Sequence, residues 1–581
     1  MTTGSALALA LLFSGYCVDG PELVKTPWQS ASQINVYVST YSGWELTSAS
    51  TRADGTRGVN IPLSVVERHV RIAVNILNTL PVELPEFVYQ GTTGSLSPPN
   101  DSLLLISPSQ SEHDFFCEGE GSPACYANPT YKGWPDTFAM ISFRSTISAT
   151  MWQTTATYSA GDSEYDFTGV LLHEILHTLG MLHSPRFSTS ECGCGSPQFP
   201  TTVCDPTLDA RSIMNLDHTV LAASGYPMRI PTRDDIEGLQ TFWGTRNGTS
   251  GDKYTTYDPA GTWTLTSGEA FGSTATKSSV SSTSPYNDSS REKIGVAFVG
   301  SNGFVRESQR SGLGTWTSLV APDASATEGK AWARPGIAYG NDRIVVLWVD
   351  ESDKSFNTNG GLPRVRKATK PYSGAFTAGN VNTVPGGTTP TSISSGWVTV
   401  GFDPISQRFV MATMGDSGSN SEIQVALLDD NADQLSPFPV GVSAEPDILT
   451  IGKPVCVDSG SPNCAIPFVS SPDRATPLVK YALGYVSGST WVNDTIVSGG
   501  YIGYGQVDHA YDYGTGYFSV SWQTLSGRSV IHRRDTITSS INGSAEFNTN
   551  LKLPVGLGAN QYTFFGSRYL QHQAFIVTAW E

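Results

Sequence analysis

Basic residues are scarce in this chain: 35 Lys and Arg stand against 52 Asp and Glu, giving a formal net charge of -17. Nucleic acids and anionic membrane surfaces need a basic footprint, so the charge excludes both as partners. No apolar stretch is long enough to span a bilayer, and no membrane span is expected. The paired C-x-x-C spacing of a zinc ribbon is also missing, which leaves disulfides as the reading of the cysteines. These are Cys17, Cys117, Cys125, Cys192, Cys194, Cys204, Cys456 and Cys464, an even number whose pairing the sequence leaves open. Charged residues are few and glycine is abundant, as suits a β-rich extracellular protein.

Export is expected from the N-terminus. Ala6 to Phe13 is an apolar run of signal-peptide length, followed by the small residues Ser14 and Gly15, although no Lys or Arg precedes it. Residues 1–20 therefore read as a signal peptide and the protein as secreted.

From Ile34 the alternation of Ile34, Val36 and Val38 with polar neighbours predicts a half-buried strand. Pro62 then opens a helix on which Val66, Val70, Ala73, Leu77 and Leu80 share a face, and Pro81 stops it. Apolar runs at Phe87–Tyr89, Leu103–Ile106 and Phe138–Phe143 predict buried strands. A second helix is expected from Asp166, its N-cap, to Leu179. A third starts at Thr232 and Asp235 and ends at Gly244. This is an α/β order. The polar stretch 246–252 reads as a linker between a domain over 21–245 and another over 253–581.

Beyond the linker, helical periodicity gives way to short strands between Gly, Ser, Asn and Asp turns. One apolar strand recurs at Gly295–Gly300, Arg343–Asp350, Arg408–Gly415, Ala465–Ser471, Tyr517–Thr524 and Ala574–Glu581. A lone aromatic recurs between them, at Trp263, Trp316, Phe376, Phe438, Trp491 and Phe547, with a period of roughly 50 to 65 residues. Both series predict a six-bladed β-propeller with the apolar strand as an inner strand, in which N- and C-terminal pieces complete one blade. A pair of β-sandwiches is the alternative.

The chemistry is concentrated in His173–Ser184, HEILHTLGMLHS. Two histidines four apart share one helical face and can reach a single ion, and Glu174 adjoins the first. Three neutral imidazoles, from His173, His177 and His183, leave a position on zinc for water, whose pKa falls to about 7. Glu174 can then take its proton. Gly180 can leave the helix in a left-handed conformation and turn the chain back toward His183.

The pattern H-E-x-x-H-x-x-G-x-x-H resembles the metzincin signature, and Ser184 after it is similar to the matrixin branch. Ser212-Ile213-Met214-Asn215 resembles the Met-turn, with Met214 as a structural support, and Arg233–Gly244 is similar to the closing matrixin helix. Over most of residues 30–245, the resemblance implies an α/β metzincin domain with a five-stranded, mostly parallel sheet. It also implies zinc, structural calcium and endopeptidase activity on protein or peptide substrates. The stretch Pro185–Arg211 departs from the pattern as a cysteine-bearing insertion. The Pro and Tyr wall residues after Met214 are absent, and His69 and His113 read as ordinary surface or helix residues. Cys17 could cap the zinc as a thiolate or join a disulfide. The second domain is expected to bind substrate or an extracellular or cell-surface ligand. An adhesin is one rival reading. Another is a sialidase, whose S-x-D-x-G-x-x-W box is approached only by TYDPAGTW at Thr256–Trp263, with wrong spacing.

Overall fold

In a computed structural model of the chain, the first unit is described at 17–18, 31–41, 61–80, 84–117, 123–127, 137–144, 151–153, 164–182, 203–204 and 213–214. Residues 28, 44, 46, 82, 231, 235, 238–240 and 243 are described singly. The second unit is described at its strands between 253 and 580 and at some of the turns between 300 and 490, with side chains at the described residues between 295 and 507. The two compact units divide between Thr245 and Arg246. The expected linker 246–252 and the apolar run Ala6–Phe13 lie outside the described residues.

The first unit is built on five strands: β1 (Gln33–Ser39), β2 (Glu86–Thr93), β3 (Ser102–Ile106), β4 (Ala124–Ala127) and β5 (Phe138–Phe143). Their order across the sheet is β2-β1-β3-β5-β4. The first three pairings are parallel, and β4 runs antiparallel on the edge beside β5. The alternation of β1 buries Ile34, Val36 and Val38. Strands β3 and β5, covered on both faces, are buried throughout, which is why they read as unbroken apolar runs. Helix α1 (Leu63–Thr79) buries Val66, Val70, Ala73 and Leu77 of the predicted face, and Leu80 is buried just past its end. Helix α2 (Gln110–Phe116) is closed by a Ser109/Glu112 capping box. Just past it, Cys117 is disulfide-bonded to Cys125 of β4. Helix α3 (Phe167–Thr178) starts where Asp166 accepts the Gly169 N–H at 2.7 Å.

Six antiparallel sheets make up the second unit. Their first strands are Ser281–Thr283, Gly336–Gly340, Val398–Asp403, Ile448–Ile451, Val507–Asp512 and Phe565–Leu570. Each sheet packs on the next through these strands, the third and fourth meeting by Val398–Asp403 on Val455–Cys456 and Arg408–Ser417 on Ile448–Ile451, until the last meets the first, the closed ring of a β-propeller. Lys253–Tyr257 and Trp263–Thr266 join the C-terminal strands Phe565–Leu570 and Phe575–Trp580 in one sheet, so neither Lys253–Tyr257 nor Phe575–Trp580 is left as an edge. The recurring apolar strand, expected as an inner strand, is second in each sheet. Phe575–Trp580, for example, lies between Phe565–Leu570 and Lys253–Tyr257. An interior strand is covered on both faces by neighbouring blades and has to be apolar on both.

Buried and half-buried ion pairs tie the second of these sheets to its surroundings. From strand Val365–Pro371, Arg366 reaches Asp323 at 3.0 Å and Lys370 reaches Glu307 at 3.0 Å, while Lys367 pairs with Asp433. Cys456 and Cys464 form the second described disulfide.

The class expected from the sequence is corrected by this architecture. The described residues contain 34 strands and only three complete α-helices, so the molecule is predominantly β and the α/β metzincin label is dropped. The physical reason lies in the sequence itself, where short strand-forming runs far outnumber stretches of sustained helical period.

Candidate metal centre

Helix α3 carries the candidate site. His173 and His177, one turn apart, present their Nε2 atoms to each other at 3.0 Å, with the rings near perpendicular at 86°. Each Nδ1 faces a backbone carbonyl, that of Ile213 at 2.7 Å for His173 and that of Met181 at 2.8 Å for His177. A carbonyl only accepts, so both Nδ1 atoms carry the proton and both Nε2 atoms offer lone pairs. Two facing lone pairs at this distance repel unless a proton or cation lies between them. Burial pushes the His177 pKa below 6.5, only partly offset by the Met181 carbonyl, so the cationic imidazole is disfavoured.

Glu174 is buried beside them. Desolvation lifts its carboxyl to about 8, and the hydrogen bond from the Tyr126 backbone N–H on β4 pulls it partly back.

The surroundings fix these groups. Gly180 has φ of 95°, a backbone that a Cβ would strain, and its N–H donates to the His177 carbonyl at 3.0 Å where α3 ends. The chain continues into the two-residue strand Met181–Leu182. Ile213 and Met214 form a buried turn whose N–H groups donate to the Asp235 carboxylate at 3.0 and 3.3 Å. Trp243 donates its indole N–H to the Leu179 carbonyl at 2.9 Å. Asp235 and Trp243, both helical, thus hold the turn that orients His173 and the end of α3. The sequence presented Asp235 as a helix start; its carboxylate serves the Ile213–Met214 turn.

His183, Cys192 and Cys194 lie outside the described residues. Cys17 and Cys204 are described only as backbone, directly opposed in an antiparallel strand pair. His69 on α1 and His113 on α2 are helix residues, the second of the two expected readings, and both are fully buried. His69 Nδ1 meets Thr168 Oγ1 at 2.7 Å, and His113 Nδ1 meets Ser142 Oγ at 3.0 Å. Among the described residues, Asp403 with Cys456 and Cys464 also clusters potential ligand atoms. Both thiols are consumed by the disulfide, and Asp403 accepts from the Ile405 and Ser406 N–H groups and the Asn463 amide. That cluster is structural.

No protein-family model matches the sequence, and no curated protein matches it. Similar solved structures include the BP39L lectin of Burkholderia pseudomallei, at 14% identity over 53% of this chain and 79% of that one, with a TM-score of 0.34. An α-L-arabinofuranosidase of Clostridium thermocellum matches at 13% identity over 46% and 92%, with a TM-score of 0.30. TolB of Acinetobacter baumannii matches at 10% over 94% of both chains, with a TM-score of 0.31. Scores this low transfer no activity to the chain. No comparison ties it to the metzincins either. The metzincin and matrixin-like assignment is therefore withdrawn, and with it the endopeptidase activity and the protein or peptide substrates that rested on it. Among the described residues no helix is long and apolar enough to cross a membrane.

Proposed function

We propose that His173 and His177, completed by His183, hold one divalent metal ion, zinc by the expectation from the donor set, in a hydrolytic centre with Glu174 as its proton acceptor. The observation that carries this reading is the pair of Nε2 lone pairs facing each other at 3.0 Å, each locked by a carbonyl behind it. The residues fit the ion. Two nitrogens each about 2.0–2.1 Å from one zinc can stand 3 Å apart, and neutral imidazole suits first-row divalent metals. When bound, such an ion lowers the pKa of a coordinated water to about 7 and polarises an electrophile. Glu174, buried beside His173, would receive the proton at its Oε atoms and return it to a leaving group. Tyr126 N–H orients that carboxylate, and the buried surroundings exclude competing water. Secretion belongs to the same proposal, supported by the Cys117–Cys125 and Cys456–Cys464 disulfides, which suit an oxidising compartment.

The test is metal analysis of the purified chain together with hydrolysis of an activated carboxylic ester. One zinc per chain is expected, lost in His173→Ala and in His177→Ala but retained in Glu174→Gln, with turnover lost in all three. Undiminished zinc in His177→Ala would overturn the proposal.

A further inference from the structure

We infer that Cys17–Val18 is a retained part of the folded protein and acts as a clamp on the segment that joins His177 to His183. The two residues form the middle strand of a three-stranded sheet. On one side Cys17 pairs with Leu182 and Val18 with Met181, antiparallel; on the other, Cys17 pairs with Cys204 and Val18 with Val203. Met181–Leu182 and Val203–Cys204 do not pair with each other, so each has the N-terminal strand as its neighbour in that sheet.

The position matters because Met181 has two duties. Its carbonyl receives the His177 Nδ1–H at 2.8 Å, and its backbone lies in register with Val18. One residue further on, Leu182, in register with Cys17, leads directly into His183. A two-residue strand leaving a glycine with φ of 95° has little of its own to fix it, since isolated strand pairs are marginal in water. A middle strand supplies that fixation, and it also ties the segment to Val203–Cys204 in the insertion. The clamp conflicts with a leader removed through residue 20, because that cut would take the middle strand away. Any processing must therefore stop ahead of Cys17, in the Ser14–Gly15 region that follows the apolar run. Retention of the strand is independent of the metal reading; its effect on metal affinity rests on that reading.

Two measurements on the full chain test this. Secreted from a host that processes leaders, the protein should show by intact mass an N-terminus at or before Cys17; an N-terminus beyond Val18 overturns the inference. Val18→Pro removes a backbone N–H from the middle strand. It should lower zinc affinity, read by chelator competition, about 10- to 100-fold, the usual cost of losing a group that orients a ligand. Amide exchange at Met181 and Leu182 should rise in the same variant while β3 and β5 stay protected. Unchanged exchange and affinity overturn the clamp. If the unaltered protein takes up no zinc, the metal proposal falls, and exchange at Met181 and Leu182 alone decides the clamp. If Val18→Pro unfolds the whole first unit, the milder Val18→Gly replaces it, with the same two outcomes.

Discussion

Glu174 gives the protein a pH dependence that its removal should erase. In the folded chain without a cation beside it, the carboxyl titrates at about 8, against 4.5 when unfolded. Between those values the folded state holds one more proton than the unfolded state, so stability falls as pH rises, by about 1.4 kcal/mol per unit. His177 acts in the opposite direction and in another window. Its pKa is lowered from 6.5, so its contribution is lost only as pH falls below 6.5. From pH 6.5 to 8 the Glu174 effect therefore stands alone, about 1.5 units or about 2 kcal/mol. Glu174→Gln keeps the shape and removes the titration. Chemical denaturation of both proteins in chelator, at half-unit steps over this range, should show the variant gaining about 2 kcal/mol relative to the parent. Saturating zinc should flatten the slope, because a cation next to the carboxylate favours its charged form. A stability gap that does not change with pH would refute the buried, neutral carboxyl.

Other perturbations probe the supports of the site and the ring. Asp235→Ala leaves the N–H groups of Ile213 and Met214 buried without their acceptor and should cost about 1–3 kcal/mol in thermal unfolding, with metal affinity falling about tenfold or more. Trp243→Phe removes one hydrogen bond to Leu179 and should cost about 1 kcal/mol in the same assay. Glu307→Gln strips the buried Lys370 ammonium of its charge partner; the second unit should lose about 3–5 kcal/mol, measured by denaturant titration, and a loss under 1 kcal/mol would contradict the burial of that pair. Gly180→Ala should destabilise the first unit by about 1 kcal/mol or more, read as a lowered Tm, because φ of 95° strains any residue with a Cβ.

Patterns local in the chain were legible in the sequence. The alternation of β1, the apolar face of α1 and the Asp166 cap follow from periods of two and 3.6 residues and from one side-chain oxygen. The pair His173 and His177 was legible for the same reason, since residues four apart must meet on a helix. What escaped was supplied by backbone or by distance along the chain. Glu174 is oriented by a Tyr126 N–H, a group every residue but proline owns, so no side chain announces it. Asp235 acts 21 and 22 residues away, on a turn that a local cap motif does not foresee. The apolar strand of each blade was visible, but its rank in the sheet was not, because burial on both faces marks any interior strand. The family resemblance was carried by a short motif, which fixes a constellation of donors without fixing descent or substrate.

The sheet that Lys253–Tyr257 and Trp263–Thr266 share with Phe565–Leu570 and Phe575–Trp580 sets an order on synthesis. The first two strands leave the ribosome some three hundred residues before their partners and must wait with an open hydrogen-bonding edge through the making of five complete sheets. Ring closure is thus the last long-range event of folding, and a ribosome stalled anywhere before Phe575 would release a chain whose unpaired edge at Lys253–Tyr257 is a template for a neighbour's strand.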